Sequence, residues 1–220
     1  MNLQPIDKHL YTIIILHGMY QDYTSLFELS NDIQKYNKNI KVILPNAPRR
    51  TINWPNGKEE NIRAWYNYYT RRDGEMRHDI IEQTHFIDQT ERINKIIDGE
   101  CKLISSENII IAGVSQGGTI AFNVALHSKY NLAGLIGIHT IFMDNIISTR
   151  NMNKIPIYLF SGEKDSIYNI KLQKQTMKKL NSLKYKIEWY IEPELDHCKY
   201  SRKENLFIID AINEIFNLCS

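Results

Sequence analysis

Asn108-Ile109-Ile110-Ile111-Ala112 reads as a strand, apolar from Ile109 onward, that stops at Gly113-Val114-Ser115-Gln116-Gly117-Gly118. The residues after it, with Ile120, Ala121, Val124 and Ala125, are apolar at helical spacing. A strand with no polar face has to lie inside a sheet covered on both sides. The rest of the chain therefore has to supply parallel neighbours and the helices that cover them.

It does so in alternation. Residues 12–16 (Thr-Ile-Ile-Ile-Leu) and 40–44 (Ile-Lys-Val-Ile-Leu) predict strands, the first ending at His17-Gly18 and the second closed by Pro45, with Leu26, Leu29 and Ile33 at helical spacing between them. Phe86, Thr90, Ile93 and Ile97 mark one face of a helix ending near Gly99. After the run at 108–112, the pattern predicts a helix over 117–127, a strand over 132–138, a strand over 156–160, a helix over 167–180, a strand over 186–191 and a closing helix over 206–218. The expectation is an α/β chain with a mostly parallel central sheet and helices on both faces. One segment stands apart. Residues 46–78 hold Pro48, Pro55, Gly57, Gly74 and a dense aromatic group at Trp65, Tyr66, Tyr68 and Tyr69, without a sustained period; so long an excursion is more often functional than idle.

Size and charge exclude several classes. With 220 residues the chain suits one domain, able to bury roughly 70% of its unfolded surface. Lys and Arg outnumber Asp and Glu by 27 to 25, too small an excess to attract nucleic acid or an anionic membrane. Lys171, Lys174, Lys178 and Lys179 read as a solvated helix face. The first residues lack the pattern of a signal peptide, and no apolar run is long enough to span a bilayer, so a soluble, cytoplasmic protein is expected. Cys101, Cys198 and Cys219 are odd in number and have no metal-ligand spacing, so all three are expected to be free thiols, with no metal site.

The turn at Ser115 carries the chemistry. G-x-S-x-G is weak as a bare pattern, but here it joins a buried strand to an apolar helix, the setting in which the serine is strained and exposed. The flanking glycines are needed because side chains there would collide with the neighbouring strand or helix, and the helix start offers free N–H groups to a developing negative charge. Serine needs a base, and the base needs an orienting acid. These follow in the order Ser, acid, His, each on a loop at the carboxyl end of a later strand. Asp165, after the strand at 156–160, fits the acid, and His197, after the strand at 186–191, fits the base. Glu163 is the rival acid, more consistent with a solvated loop residue. Asp196 adjoins His197 and reads as a turn residue, His139 as a pocket-lining residue, and His17 as a structural group fixing its loop. The backbone N–H groups of Gln116 and Met19 are the candidate oxyanion donors, since Gly18 lets the second loop approach closely.

Together Leu16-His17-Gly18, Pro45-Asn46-Ala47-Pro48, Ile62-Arg63-Ala64-Trp65-Tyr66, Gly113 to Gly118, the Gly162 to Asp165 loop and His197 resemble, in order and over nearly the whole chain, the acyl-protein thioesterase, lysophospholipase and carboxylesterase family of small α/β-hydrolases. The resemblance implies the α/β-hydrolase fold and hydrolysis of fatty acyl esters or thioesters without a cofactor. Its substrates would be acylated proteins or lysophospholipids, and Trp65, Tyr66 and the segment around them would line an acyl groove. Three departures bear on pocket shape: Tyr20 and Gln21 precede Asp22, Asn67 replaces an aspartate, and His139 replaces a small residue. Two other readings compete, a hydrolase of small polar esters and a silent ligand-binding module; the complete set of Ser115, His197 and Asp165 speaks against the module.

Overall fold

A computed structural model describes residues 1–53, 57–68, 80–144, 146–148, 150 and 152–218. Its main sheet has seven strands. In chain order these are β1 (Asn2–Leu3), β2 (Tyr11–Leu16), β3 (Ile40–Ile43), β6 (Ile109–Val114), β7 (Gly134–Ile138), β8 (Ile157–Gly162) and β9 (Ile187–Glu192); β4 (Arg49–Ile52) and β5 (Glu59–Arg63) form a separate antiparallel hairpin. The spatial order is β1-β3-β2-β6-β7-β8-β9, with only β1 antiparallel.

The apolar runs form the centre because they have no face to offer water. Ile13 and Ile15 point to one side of β2, packing with Leu29 and Ile33 of α1 (Phe27–Tyr36) and with Ile208 and Ile212 of α5 (Arg202–Phe216). Ile14 and Leu16 point to the other side, toward α2 (Gln83–Glu100), α3 (Gln116–His127) and α4 (Ile170–Ser182). Each such isoleucine taken fully out of water contributes about 1.5–3 kcal/mol. In α3, ten of the twelve residues are buried, so this helix is wedged between sheet and α2 instead of lying on the surface.

Chain direction reverses at β2. From β2 the chain steps outward to β3, and later returns to place β6 on the other flank of β2, in register through Ile14 with Ile111 and Leu16 with Gly113. A crevice opens where neighbouring connections leave in opposite directions at the carboxyl ends of parallel strands. His17, Gly18 and Ser115 sit there.

Three elements differ from the sequence reading. The excursion at 46–78 contains the β4–β5 hairpin, a short edge strand precedes β2, and α5 starts at Arg202, four residues early, because Ser201 caps it through Lys203 N–H at 3.2 Å. Trp54, Pro55, Tyr69, Gly74 and Cys219 lie outside the described residues. Cys101 and Cys198 are free thiols. Among the described residues no helix is long and apolar enough to cross a membrane.

Candidate active site

β6 ends at Val114, and Ser115 takes φ +50° and ψ −118° before α3 begins at Gln116. This left-handed backbone is unfavourable for a side-chain-bearing residue and persists because its surroundings fix it. Ser115 N–H donates to Ile138 O at 2.8 Å and Ser115 O accepts from Thr140 Oγ1 at 3.0 Å, tying the turn to the end of β7. The glycines permit the close approach. A Cβ on Gly113 would lie 2.5 Å from Gly117 O, and one on Gly117 would lie 2.5 Å from Leu16 O and His17 O.

The three residues singled out for acyl transfer come together from three loops. Ser115 Oγ is 2.8 Å from His197 Nε2, and His197 Nδ1 is 2.8 Å from Asp165 Oδ2. Lys164 N–H donates to Leu195 O at 3.0 Å and Glu163 N–H to Glu192 O at 2.9 Å, which stitches the acid loop to the histidine loop. Asp165 Oδ1 accepts from Ile167 N–H at 2.9 Å and Tyr168 N–H at 2.7 Å, leaving Oδ2 for the histidine. Burial opposes the charge on Asp165, but the His139 and His197 side chains facing its carboxylate outweigh this and hold its pKa below the ordinary aspartate range. A carboxylate only accepts, so the His197 proton sits on Nδ1 and the Nε2 lone pair faces the serine hydroxyl.

The rival residues fall elsewhere. Glu163 is exposed, and Asp196 accepts from Ser166 Oγ at 2.9 Å. His17 is buried, with Nε2 accepting from Ala47 N–H at 3.0 Å and Nδ1 2.7 Å from Gly18 O, so it is neutral with its proton on Nδ1. Burial accordingly lowers its pKa.

Gln116 is the first residue of α3, so its N–H has no helical carbonyl to bond. Its side chain does work that sequence reasoning did not foresee. Oε1 accepts from Trp65 N–H at 2.7 Å, Nε2 donates to Tyr66 O at 2.9 Å and also lies 3.8 Å from Met19 Sδ. The two loops that carry the candidate oxyanion donors, Met19 and Gln116, are therefore joined to each other and to the excursion. Trp65 and Tyr66 themselves are both 0% exposed. Trp65 Nε1 donates to His17 O at 2.7 Å and the Tyr66 hydroxyl is 2.7 Å from Thr119 Oγ1, so both rings pin the excursion to the scaffold in this conformation.

A cavity of about 340 Å³ opens beside His197, lined among others by Gln21, Ser25, Glu28, His139 and Asn205. A larger one, about 410 Å³, lies between Phe142 and α4 and touches none of Ser115, His197 and Asp165. Among the described residues, His139, Asp165 and His197 are a group whose potential metal-ligand atoms lie within 4.8 Å of one another. Their chemistry does not suit an ion. His197 Nδ1 carries a proton toward Asp165 at 2.8 Å, so this nitrogen offers a hydrogen where a metal needs a lone pair.

A serine presented on a strained strand-to-helix turn at the reversal point of a largely parallel sheet defines an α/β-hydrolase. The chain belongs to the phospholipase/carboxylesterase family, whose model matches residues 3–209, and is a serine hydrolase of carboxylic esters or thioesters. It is 26% identical over 211 residues to acyl-protein thioesterase 1 of Neurospora crassa, covering 87% of this chain and 82% of that protein. It is 29% identical over 191 residues to acyl-protein thioesterase 1 of Schizosaccharomyces pombe, covering 84% and 82%. Among solved structures it shares its fold with Zea mays acyl-protein thioesterase 2 (TM-score 0.78, 19% identity, 98% of this chain and 97% of that one). It is likewise similar in fold to Arabidopsis thaliana SOBER1 (TM-score 0.78, 19% identity, 94% and 99%).

Proposed function

We propose that the chain, acting as a single domain, cleaves acyl esters or thioesters through an acyl-enzyme on Ser115. His197 takes the serine proton as Oγ attacks the acyl carbonyl, then returns it to the departing alcohol or thiol. Asp165 holds the His197 ring and stabilises its protonated form. The N–H groups of Met19 and Gln116 receive the carbonyl oxygen as it becomes an oxyanion. Water, activated by the same histidine, then attacks the acyl-serine, releasing the carboxylic acid and restoring Ser115. The observation that carries this reading is the unbroken line Ser115 Oγ, His197, Asp165, with both spacings at 2.8 Å.

Fatty acyl groups on proteins or lysophospholipids are the substrates that the similarity to acyl-protein thioesterases supports. Free thiols at Cys101 and Cys198 suit a reducing compartment such as the cytoplasm. One observation favours a second reading, hydrolysis of small polar esters: the cavity beside His197 is lined by Gln21, Ser25, Glu28 and Asn205, while Trp65 and Tyr66 are buried. Turnover of p-nitrophenyl esters and acyl thioesters of increasing chain length separates the two. The proposal expects kcat/KM to rise with acyl length, and a steady fall would favour the small-ester reading.

A further inference from the structure

Hydrolysis by Ser115, His197 and Asp165 does not by itself require a second histidine on the acid, yet one is present. His139 directly follows β7 at φ +46°, and its side chain is 3% exposed. Its Nδ1 lies 3.6 Å from Asp165 Oδ2, the oxygen that also faces His197, and its Nε2 lies 3.3 Å from Oε2 of Glu204 in the first turn of α5. The ring packs edge-on against Phe160 and His197, with centroids 5.8 and 5.7 Å away.

Both ring nitrogens are buried without an aligned hydrogen bond, and each faces a carboxylate oxygen. Protonation makes both nitrogens donors and places a cation between the two carboxylates. Burial alone pulls the His139 pKa down; Asp165 and Glu204 outweigh it and raise it to about 9. The other groups around the ring do not change this balance. Across the cavity, Glu28 of α1 and Lys199 carry opposite charges, and Cys198 and Tyr200, both pushed up by burial, stay neutral.

We propose that His139 is a positioning residue of the hydrolase, a cationic bridge from Glu204 to Asp165 that sets how far into acid the enzyme works. The proposal rests on Asp165 acting as the acid partner of His197. A cation at Oδ2 offsets part of the negative charge that Asp165 presents to His197, so kcat/KM is expected to hold to lower pH than it would without His139. It also anchors the oxygen that the Ile167 and Tyr168 amides leave free.

The test is the pH dependence of kcat/KM for wild type, His139→Asn and Glu204→Gln. Asparagine accepts the left-handed backbone and offers an uncharged donor near the position of Nδ1. The acidic limb is expected to move up by about 0.5–1 pH unit in His139→Asn, a three- to tenfold loss below the limb, and by less in Glu204→Gln, with KM held within about twofold. Independently of turnover, histidine nitrogen NMR of Ser115→Ala should show His139 still protonated at pH 8. A residue that only packs would lower kcat evenly across pH and leave the limb in place. An unmoved limb in both variants of an active enzyme, or a His139 that titrates like an ordinary histidine, overturns the positioning role alone. A folded wild type without turnover overturns the hydrolase reading and this role with it.

Discussion

Gln116 holds the backbone of Trp65 and Tyr66 in its side-chain amide: Oε1 accepts from the Trp65 N–H at 2.7 Å while Nε2 donates to Tyr66 O at 2.9 Å. The residue that follows the nucleophile thus fixes the Trp65-Tyr66 backbone against the site. Gln116→Leu fills the same space but leaves a buried N–H and a buried C=O unpaired, at about 1–3 kcal/mol each. In a chain of this size each kcal/mol lowers the melting temperature by about 2–4 °C. Calorimetry should show a loss of at least several degrees, together with a fall in kcat because the Met19 and Gln116 loops lose their link. An unchanged melting temperature would show that the clasp contributes little.

Stability should peak between acid and alkali through two histidines of opposite behaviour. His139 has its pKa raised to about 9, so the stability it adds is complete below the ordinary histidine value near 6.5 and is lost as pH rises through 9. His17 has its pKa lowered by burial, so the unfolded chain binds more protons than the folded one below 6.5, and stability falls as pH falls from there. Urea titrations across pH measure this directly. His139→Asn should flatten the alkaline side, and His17→Asn the acid side; a profile indifferent to both substitutions would contradict the assignment.

The buried pair at the amino ends of the strands provides a control for separating fold from chemistry. Lys41 Nζ donates to Glu100 Oε1 at 2.6 Å, and Thr12 Oγ1 donates to Oε2 of the same carboxylate at 2.9 Å. Lys41→Met leaves Glu100 without its counter-charge, and loss of one partner of a buried pair costs about 3–5 kcal/mol. Melting should fall by roughly 10 °C, while kcat at low temperature stays at the wild-type value, because β2 and β3 carry this pair at the end away from Ser115. A loss of kcat in the folded variant would mean that the two ends of the sheet are coupled.

Much of this was legible in the sequence because the signals are local. The isoleucine runs at 12–16 and 108–112 have only one kind of place to go, and G-x-S-x-G between strand and helix names its own turn. The β4–β5 hairpin was not legible, since Arg49-Arg50-Thr51-Ile52 and Glu59-Glu60-Asn61-Ile62-Arg63 are mostly polar; contacts such as Arg63 Nη1 to Ala47 O at 2.9 Å hold it from outside. The same holds for partners distant in sequence. His139 and Glu204 meet only because α5 packs across the sheet at β7 and β8. The Ser201-x-x-Glu204 pattern of a helix start could have placed Glu204 at the beginning of α5, but not beside His139. Trp65 and Tyr66 were expected to line a groove, and their aromatic character alone does not distinguish a ring that meets a ligand from one that pins a loop.

The measurement that bears most directly on the whole account is fluorophosphonate labelling of wild type and Ser115→Ala, with the adduct located by mass spectrometry and turnover of an acyl ester followed alongside. The account predicts a single adduct on Ser115, and a folded Ser115→Ala protein that is unlabelled and slower by at least about a thousandfold. An adduct elsewhere, or wild-type turnover by Ser115→Ala, would contradict it.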